Sequence, residues 1–468
     1  MRARVRWARW MGAAALVTAA VGPARTQAPD PKPATGEARP APAIGIAFEK
    51  YTLPNGLEVI LHQDRAAPLV SVNVWYHVGS GDEVPGKSGF AHLFEHMMFQ
   101  GTKHTGNDVH FPILQQIGAS DVNGTTNSDR TNYYETVPSH QLETALWLES
   151  DRMGFLLDAL TEESFKNQVD VVRNERRQRY DNVPYGQARF EVAKALYPEG
   201  HPYRYLTIGK HEDLTGASVD DVKAFFRQWY TPSNATLTVA GDFDLAATKA
   251  LVEKWFGGLP TAPRAAAGPV PTPTLTETVK VEVPDPFAKL TQIQRTWIGP
   301  KMLSDESYPL DVLLDVLGSE SWGRLSKRLV VKEGLCTSVR VGLDGRELSG
   351  EILVIAQLKP GADRKKVEKA LDEEIARVQR EPITEAELRR VVVANESSLV
   401  WGLEDLAARA DQLQFFNHYA ADPGYADKHL AKVRGVTVQA INEAAKTWLA
   451  KPYVQVTSVP AKAGEVPR

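Results

Sequence analysis

The sequence predicts an α+β protein made of two halves of similar design, and three observations lead there. A Pro/Ala/Gly-rich stretch between Pro260 and Pro273 interrupts the chain past its middle. On each side of it, a strand-like run with alternating apolar residues is followed by helical patterns, at Val70, Val72, Val74 and Tyr76 before the stretch and across 289–298 after it. The chain has 468 residues, 43% of them hydrophobic and 24% charged, which is enough for at least two substantial cores. The pattern restarting after the stretch resembles an internal duplication. The expected division is a leader at 1–28, a Pro/Ala-rich tether at 29–44, a first domain at 45–260, a linker at 261–274, a second domain at 275–462 and a tail at 463–468.

The leader has a basic start and an apolar middle. Arg2, Arg4, Arg6 and Arg9 precede the run from Met11 to Val21, and Ala20, Gly22, Ala24 and Ala28 offer small residues for cleavage, as in a secretory signal. The run is too short to span a bilayer comfortably, so no transmembrane span is expected in the mature chain. An Arg-rich leader without acids also suits mitochondrial import. The central apolar run favours export to the periplasm or exterior over the mitochondrial matrix. No cysteine follows it to carry a lipid.

In the first domain, Asn55-Gly56 is a hairpin turn between strand-like flanks, and the alternating strand at Val70–Tyr76 follows. Asp121 to Thr136 is rich in Asn, Thr and Tyr and predicts a strand with turns. Gln141 to Leu156 predicts an amphipathic helix, and Thr161-Glu162-Glu163 caps another that runs to about Tyr180. A strand around Ala235 to Ala240 closes the half. In the second domain, the strand at 289–298 leads to helices at 308–317, 363–380 and 385–408.

A net charge of −4 gives no nucleic-acid footprint. The single cysteine, Cys336, excludes an intrachain disulfide and a thiolate zinc site, so any metal must be held by His and carboxylate. The chemistry-bearing motif is His92-Leu93-Phe94-Glu95-His96. Two imidazoles at i and i+4, with a carboxylate between them, fall on one helix face and could share a divalent metal. H-x-x-E-H is the inverzincin order, the layout of a zinc hydrolase. Gly86 and Gly89 with apolar Phe90, Leu93, Met97 and Met98 predict a helix entering from a tight loop, one face packed and the His/Glu side in a cleft. The bland alternative is an ordinary helix that happens to carry two histidines. A third ligand must come from a carboxylate on an element lying against this helix. Glu175, mid-helix beside the apolar Val171 and Val172, is the best candidate, although by itself it reads as a solvated helix glutamate.

Taken together, the pentapeptide, Phe99-Gln100-Gly101-Thr102 and Glu175 resemble the pitrilysin/insulinase family of zinc metallopeptidases, which includes the mitochondrial processing peptidase β subunit. Asn123-Gly124-Thr125-Thr126 through Tyr134 is similar to the family's Asn-Ala-x-Thr segment. Tyr230-Thr231-Pro232-Ser233-Asn234 is similar to its Tyr-x-Pro-x-Asn block, and Gly323-Arg324-Leu325 to the start of a second-half motif. The resemblance covers the mature chain and marks it as a bacterial half-length member. It implies two homologous domains, each a mainly antiparallel β-sheet packed with α-helices and only the first of them active. It implies that His92, His96 and Glu175 hold one Zn2+ per chain and that Glu95 is the general base of a peptide hydrolysis. Asn123 and Gly124 would lie on an edge strand that binds an extended peptide, where an isolated Asn-Gly pair is otherwise a turn.

Two departures narrow this. Family members often carry a second glutamate two turns before the third ligand, and here that position is Gln168, which can hydrogen-bond in support of the site but brings no charge. The substrate-contacting Arg and Tyr of the inactive half are replaced by Val330 and Thr337. The implied partner is therefore a homologous chain that carries the Arg/Tyr pair, in a heterodimer favoured over a homodimer. The competing reading is a non-catalytic scaffold or partner subunit that keeps zinc for structure.

Overall fold

The computed structural model describes residues 44–264, 268–320 and 322–461. The predicted leader, the tail and nearly all of the tether lie outside the described residues.

Six strands form the first sheet: β1 (Glu49–Thr52), β2 (Glu58–Gln63), β3 (Leu69–Tyr76), β4 (Ser120–Thr126), β5 (Thr131–Pro138) and β6 (Ala235–Gly241), in the order β1-β2-β6-β3-β5-β4. Five form the second: β7 (Val279–Asp285), β8 (Gln292–Gly299), β9 (Cys336–Asp344), β10 (Gly350–Leu358) and β11 (Val454–Pro460), in the order β7-β11-β8-β10-β9. Without β1 the two sheets have one topology. In each, the first and last strands pair in parallel, β2 with β6 and β7 with β11, and every other pair is antiparallel. The two-domain, mainly antiparallel α+β fold read from the sequence is thus the fold observed, down to the repeated strand order.

The predicted elements stand with small shifts. Asn55-Gly56 turns β1 into β2, with Gly56 at φ +93°, where a side chain would strain the backbone. Thr161 caps the helix Glu162–Arg176 by accepting from the Ser164 amide, and the last turn widens over Arg177–Asp181, where the Asn182 amide reaches back to the Arg177 carbonyl. The expectation of one helix over 385–408 is corrected. One helix ends at Gly402 and a new one spans Leu406–Ala420, started by the Asp405 carboxylate, which accepts from the Ala408 amide at 2.8 Å.

Alternation along β3 predicts one polar face, yet Ser71, Asn73 and Trp75 are buried as deeply as the valines between them. The helix Leu406–Ala420, from the second half, covers that face. Gln414 Nε2 donates to the Asn73 and Thr236 carbonyls at 2.9 and 2.8 Å, and the His418 ring stands 5.7 Å from Trp75. The second sheet is covered in return by the first half's helix Gly186–Leu196, whose Ala188, Val192 and Leu196 pack with Val454 and Val456. Each sheet is closed by a helix of the other half, so the halves share their packing across the linker.

Candidate metal centre

The motif helix, Phe90–Met97, has only 8 residues, too few to hold itself in water. Its surroundings fix it. Phe90, Leu93, Phe94 and Met97 are buried in the first core, with the Phe94 ring 5.1 Å from Phe225 and 5.2 Å from Tyr230. The Glu83 carboxylate takes up two amides at the helix start, Gly89 N at 3.0 Å and Ala91 N at 2.9 Å. Burial pushes the Glu83 carboxyl well above the usual range, and these amides pull against that. Gly89, at φ +93°, lies so close to Gly209 that a β-carbon there would come 3.0 Å from the Gly209 Cα. Arg176 donates to the Gly209 carbonyl and so ties the helix that carries Glu175 to the same corner.

The opposite face of the motif helix presents His92 and His96, and Glu175 faces both. Its Oε2 lies 3.6 Å from His92 Nε2 and 3.2 Å from His96 Nε2. One donor atom from each of the three residues falls within 4.8 Å of the others. Burial, with His96 alongside, lowers the His92 pKa to about 4, so its ring is neutral and free to ligate near pH 7. His92 Nδ1 is buried with no hydrogen-bond partner among the described residues. Burial works against the Glu175 carboxylate, but the hydrogen bond from His96 and the charge of Arg179 outweigh it and hold its pKa below the ordinary value. Arg179 Nη1 lies 2.8 Å from Glu175 Oε1, which leaves Oε2 turned to the histidines.

Glu95 points from this helix to the edge of the first sheet. Thr126, at the end of β4, donates to Glu95 Oε2 at 2.6 Å. Burial raises the Glu95 pKa, and the Thr126 hydroxyl pulls it part of the way back. Among the described residues, β4 is the outermost strand and pairs only with β5. Gly124 packs its bare Cα on the motif helix, since a β-carbon there would meet Glu95 Cγ at 3.0 Å and the rings of Phe99 and Tyr133 at 3.1 Å. Asn123 folds its Oδ1 onto the Gly124 amide at 2.9 Å. Behind those two rings sits Arg152, 1% exposed, paired with Glu149 and 4.4 Å above the Tyr133 ring.

Gln168 is buried on the Glu175 helix. Val330 packs against the second core, and Thr337 is exposed on β9 with its hydroxyl donating to the Gln357 carbonyl at 3.2 Å. Sequence reasoning did not single out Thr126, Glu83 or Arg179 as parts of the site. Arg179 had a signal, its i+4 spacing from Glu175. The other two depend on which loop and which strand register meet the motif helix.

Two family models match the chain, the insulinase peptidase family M16 over residues 58–197 and the peptidase M16 inactive domain over residues 216–394. The chain belongs to the insulinase, or M16, peptidase family. Among its relatives, zinc protease PqqE of Helicobacter pylori is 28% identical over 362 residues, 76% of this chain and 80% of that one. The mitochondrial-processing peptidase subunit beta of Lentinula edodes is 27% identical over 219 residues, 47% of this chain and 46% of that one. A crystal structure of a protease from Helicobacter pylori superposes with a TM-score of 0.81 at 26% identity, covering 89% of this M16 chain and all 100% of the other.

Proposed function

We propose that this M16 chain is a zinc-dependent endopeptidase acting on peptides and unfolded segments. The observation that carries the proposal is the convergence of His92, His96 and Glu175 beside Glu95 and the free edge of β4. Two imidazoles and one carboxylate suit zinc, and their donor atoms, gathered within 4.8 Å of one another with His92 buried, fit residues meant to ligate. When bound there, zinc would polarise a peptide carbonyl and acidify water. Glu95, its Oε2 held by Thr126, takes the proton from the attacking water on its carboxylate and returns it to the leaving amine. Asn123 and Gly124, on the edge strand, bind the substrate backbone as an added strand. Gln168 supports the Glu175 helix without adding charge.

The catalytic role falls to residues 45–260, with 275–462 as the inactive counterpart. The basic, apolar leader supports export to the periplasm, and no helix among the described residues is long and apolar enough to cross a membrane. Val330, packed into the second core, and Thr337, tied to Gln357, favour pairing with a homologous chain that supplies the missing Arg and Tyr. The same observation supports a second reading, a zinc-holding partner subunit without activity of its own.

The test is Glu95→Gln, assayed for zinc by elemental analysis and for cleavage of an unstructured peptide. Loss of turnover with one zinc retained is the expected result. Unchanged turnover would sink the proposal.

A further inference from the structure

We propose that Asp129 is a positioning residue through which the half lacking the metal motif sets Glu95. The inference rests on the reading of Glu95 as the general base.

Asp129 sits in the turn between β4 and β5, three residues after Thr126. The turn is closed by its own atoms: the Asn127 side chain accepts from the amides of Asp129 and Arg130, both at 2.8 Å, and the Asn127 amide donates to the Arg130 carbonyl at 3.0 Å. The Asp129 carboxylate is 7% exposed and faces three donors. Tyr203 OH donates to Oδ1 at 2.5 Å, and Oδ2 accepts from Tyr419 OH at 2.9 Å and from the Glu347 amide at 3.0 Å. The Tyr203 hydroxyl in turn accepts from the Leu348 amide at 3.0 Å. Glu347 and Leu348 lie in the loop between β9 and β10, and Tyr419 lies on the helix Leu406–Ala420. Two separate elements of the second half therefore clamp one turn of the first.

That turn reaches the metal centre by two routes. Thr126, the last residue of β4, carries the hydroxyl bonded to Glu95 Oε2, and its partner in register, Thr131 at the start of β5, is anchored by its own hydroxyl, which donates to the Val78 carbonyl at 2.9 Å. On the other side, the amides of Ser80 and Gly81 donate to the Asn127 and Ser128 carbonyls at 3.0 and 2.8 Å. Gly79 lies so close to Ser128 that a β-carbon there would come 2.4 Å from its carbonyl carbon. This segment leads directly to Glu83, which caps the motif helix. A turn released from Tyr419 and Glu347 would loosen both the hydroxyl that aims Glu95 and the loop that seats its helix.

Asparagine is the discriminating substitution. With its carbonyl oxygen turned to Tyr419 and the Glu347 amide, it keeps without charge both contacts that cross to the second half, and its amide nitrogen donates to the Tyr203 oxygen, whose own hydroxyl proton gives up its acceptor. Alanine satisfies none.

The experiment measures kcat and KM on a short unstructured peptide, with zinc content, for the wild type, D129A, D129N, T126A, Y419F and the T126A/D129A double variant. The expected result is zinc at the wild-type ratio in each. D129A should lower kcat roughly tenfold with KM within about twofold, the loss of one hydrogen bond to a charged group, and D129N should recover most of it. The double variant should be slower than T126A by less than the D129A factor, because the two substitutions share the Thr126–Glu95 bond and only the loop route is left for D129A to act through. A D129A kcat within about twofold of wild type, or losses that multiply in the double variant, overturns the inference. If D129A does not fold, Y419F, which removes a single hydroxyl, takes its place, and a kcat equal to wild type overturns the inference in the same way. Normal turnover in E95Q would instead remove the general-base reading itself, whereas an inactive E95Q beside an unchanged D129A defeats only the role of Asp129.

Discussion

Thr126 and Glu95 lie 31 positions apart and share a 2.6 Å hydrogen bond that joins the edge strand to the helix of the H-x-x-E-H motif. The hydroxyl fixes which way the carboxylate faces. A base must point at its proton, so orientation counts as much as pKa.

Replacing Thr126 with valine keeps the shape and removes the donor. Turnover of a peptide substrate is expected to fall about 10- to 100-fold, as for one charged hydrogen bond, with KM nearly unchanged, and serine should restore most of it. Steady-state kinetics of the three proteins decides this, and a valine variant as fast as wild type would remove the orienting role.

Glu83 caps a helix of 8 residues that carries two of the three side chains proposed to hold the metal. Glu83→Ala leaves two amides at the helix start without their acceptor and is expected to cost about 1–3 kcal/mol. Calorimetry should record a lower Tm, and metal titration a weaker site, because the helix that presents His92 and His96 is looser.

Arg152 is buried between Glu149 and Glu135, beneath the rings that floor the Gly124 contact. Arg152→Leu leaves two buried carboxylates facing each other. Burial and the neighbouring Glu149 already push the Glu135 pKa well up, so one of the pair would have to hold a proton. The expected loss is about 3–5 kcal/mol, read from the shift of the urea midpoint. A shift below about 1 kcal/mol would mean that the cluster relaxes freely.

Metal removal should act on stability as well as turnover. A ligand at a hundredfold excess over its Kd stabilises the folded state by about 2.7 kcal/mol, so a chelator should lower Tm and added zinc restore it. His92→Ala should abolish the response to both. A zinc-dependent Tm that survives in this variant would place the metal elsewhere.

Much of the fold was readable because its signals are local. The Asn55-Gly56 turn, the Thr161 cap and the alternation along β3 each depend on residues a few positions apart, and each element formed where its pattern lay. The helix expected over 385–408 failed for a local reason as well, since the Asp405 side chain offers the Ala408 amide a start that competes with continuing the first helix.

By itself the sequence determined the chemistry on offer and its carriers. The i, i+4 spacing of His92 and His96 sets two imidazoles on one helix face whatever surrounds them, and the single Cys336 leaves carboxylates as the remaining ligands. Only the tertiary structure decided which carboxylate faces the histidines, which hydroxyl holds Glu95, and that each sheet borrows a covering helix from the other half. Those contacts join residues tens to hundreds of positions apart, and which of them form depends on strand register and helix packing. A shift of one residue along β4 would turn Thr126 to the opposite face of the sheet without changing any local preference of the sequence.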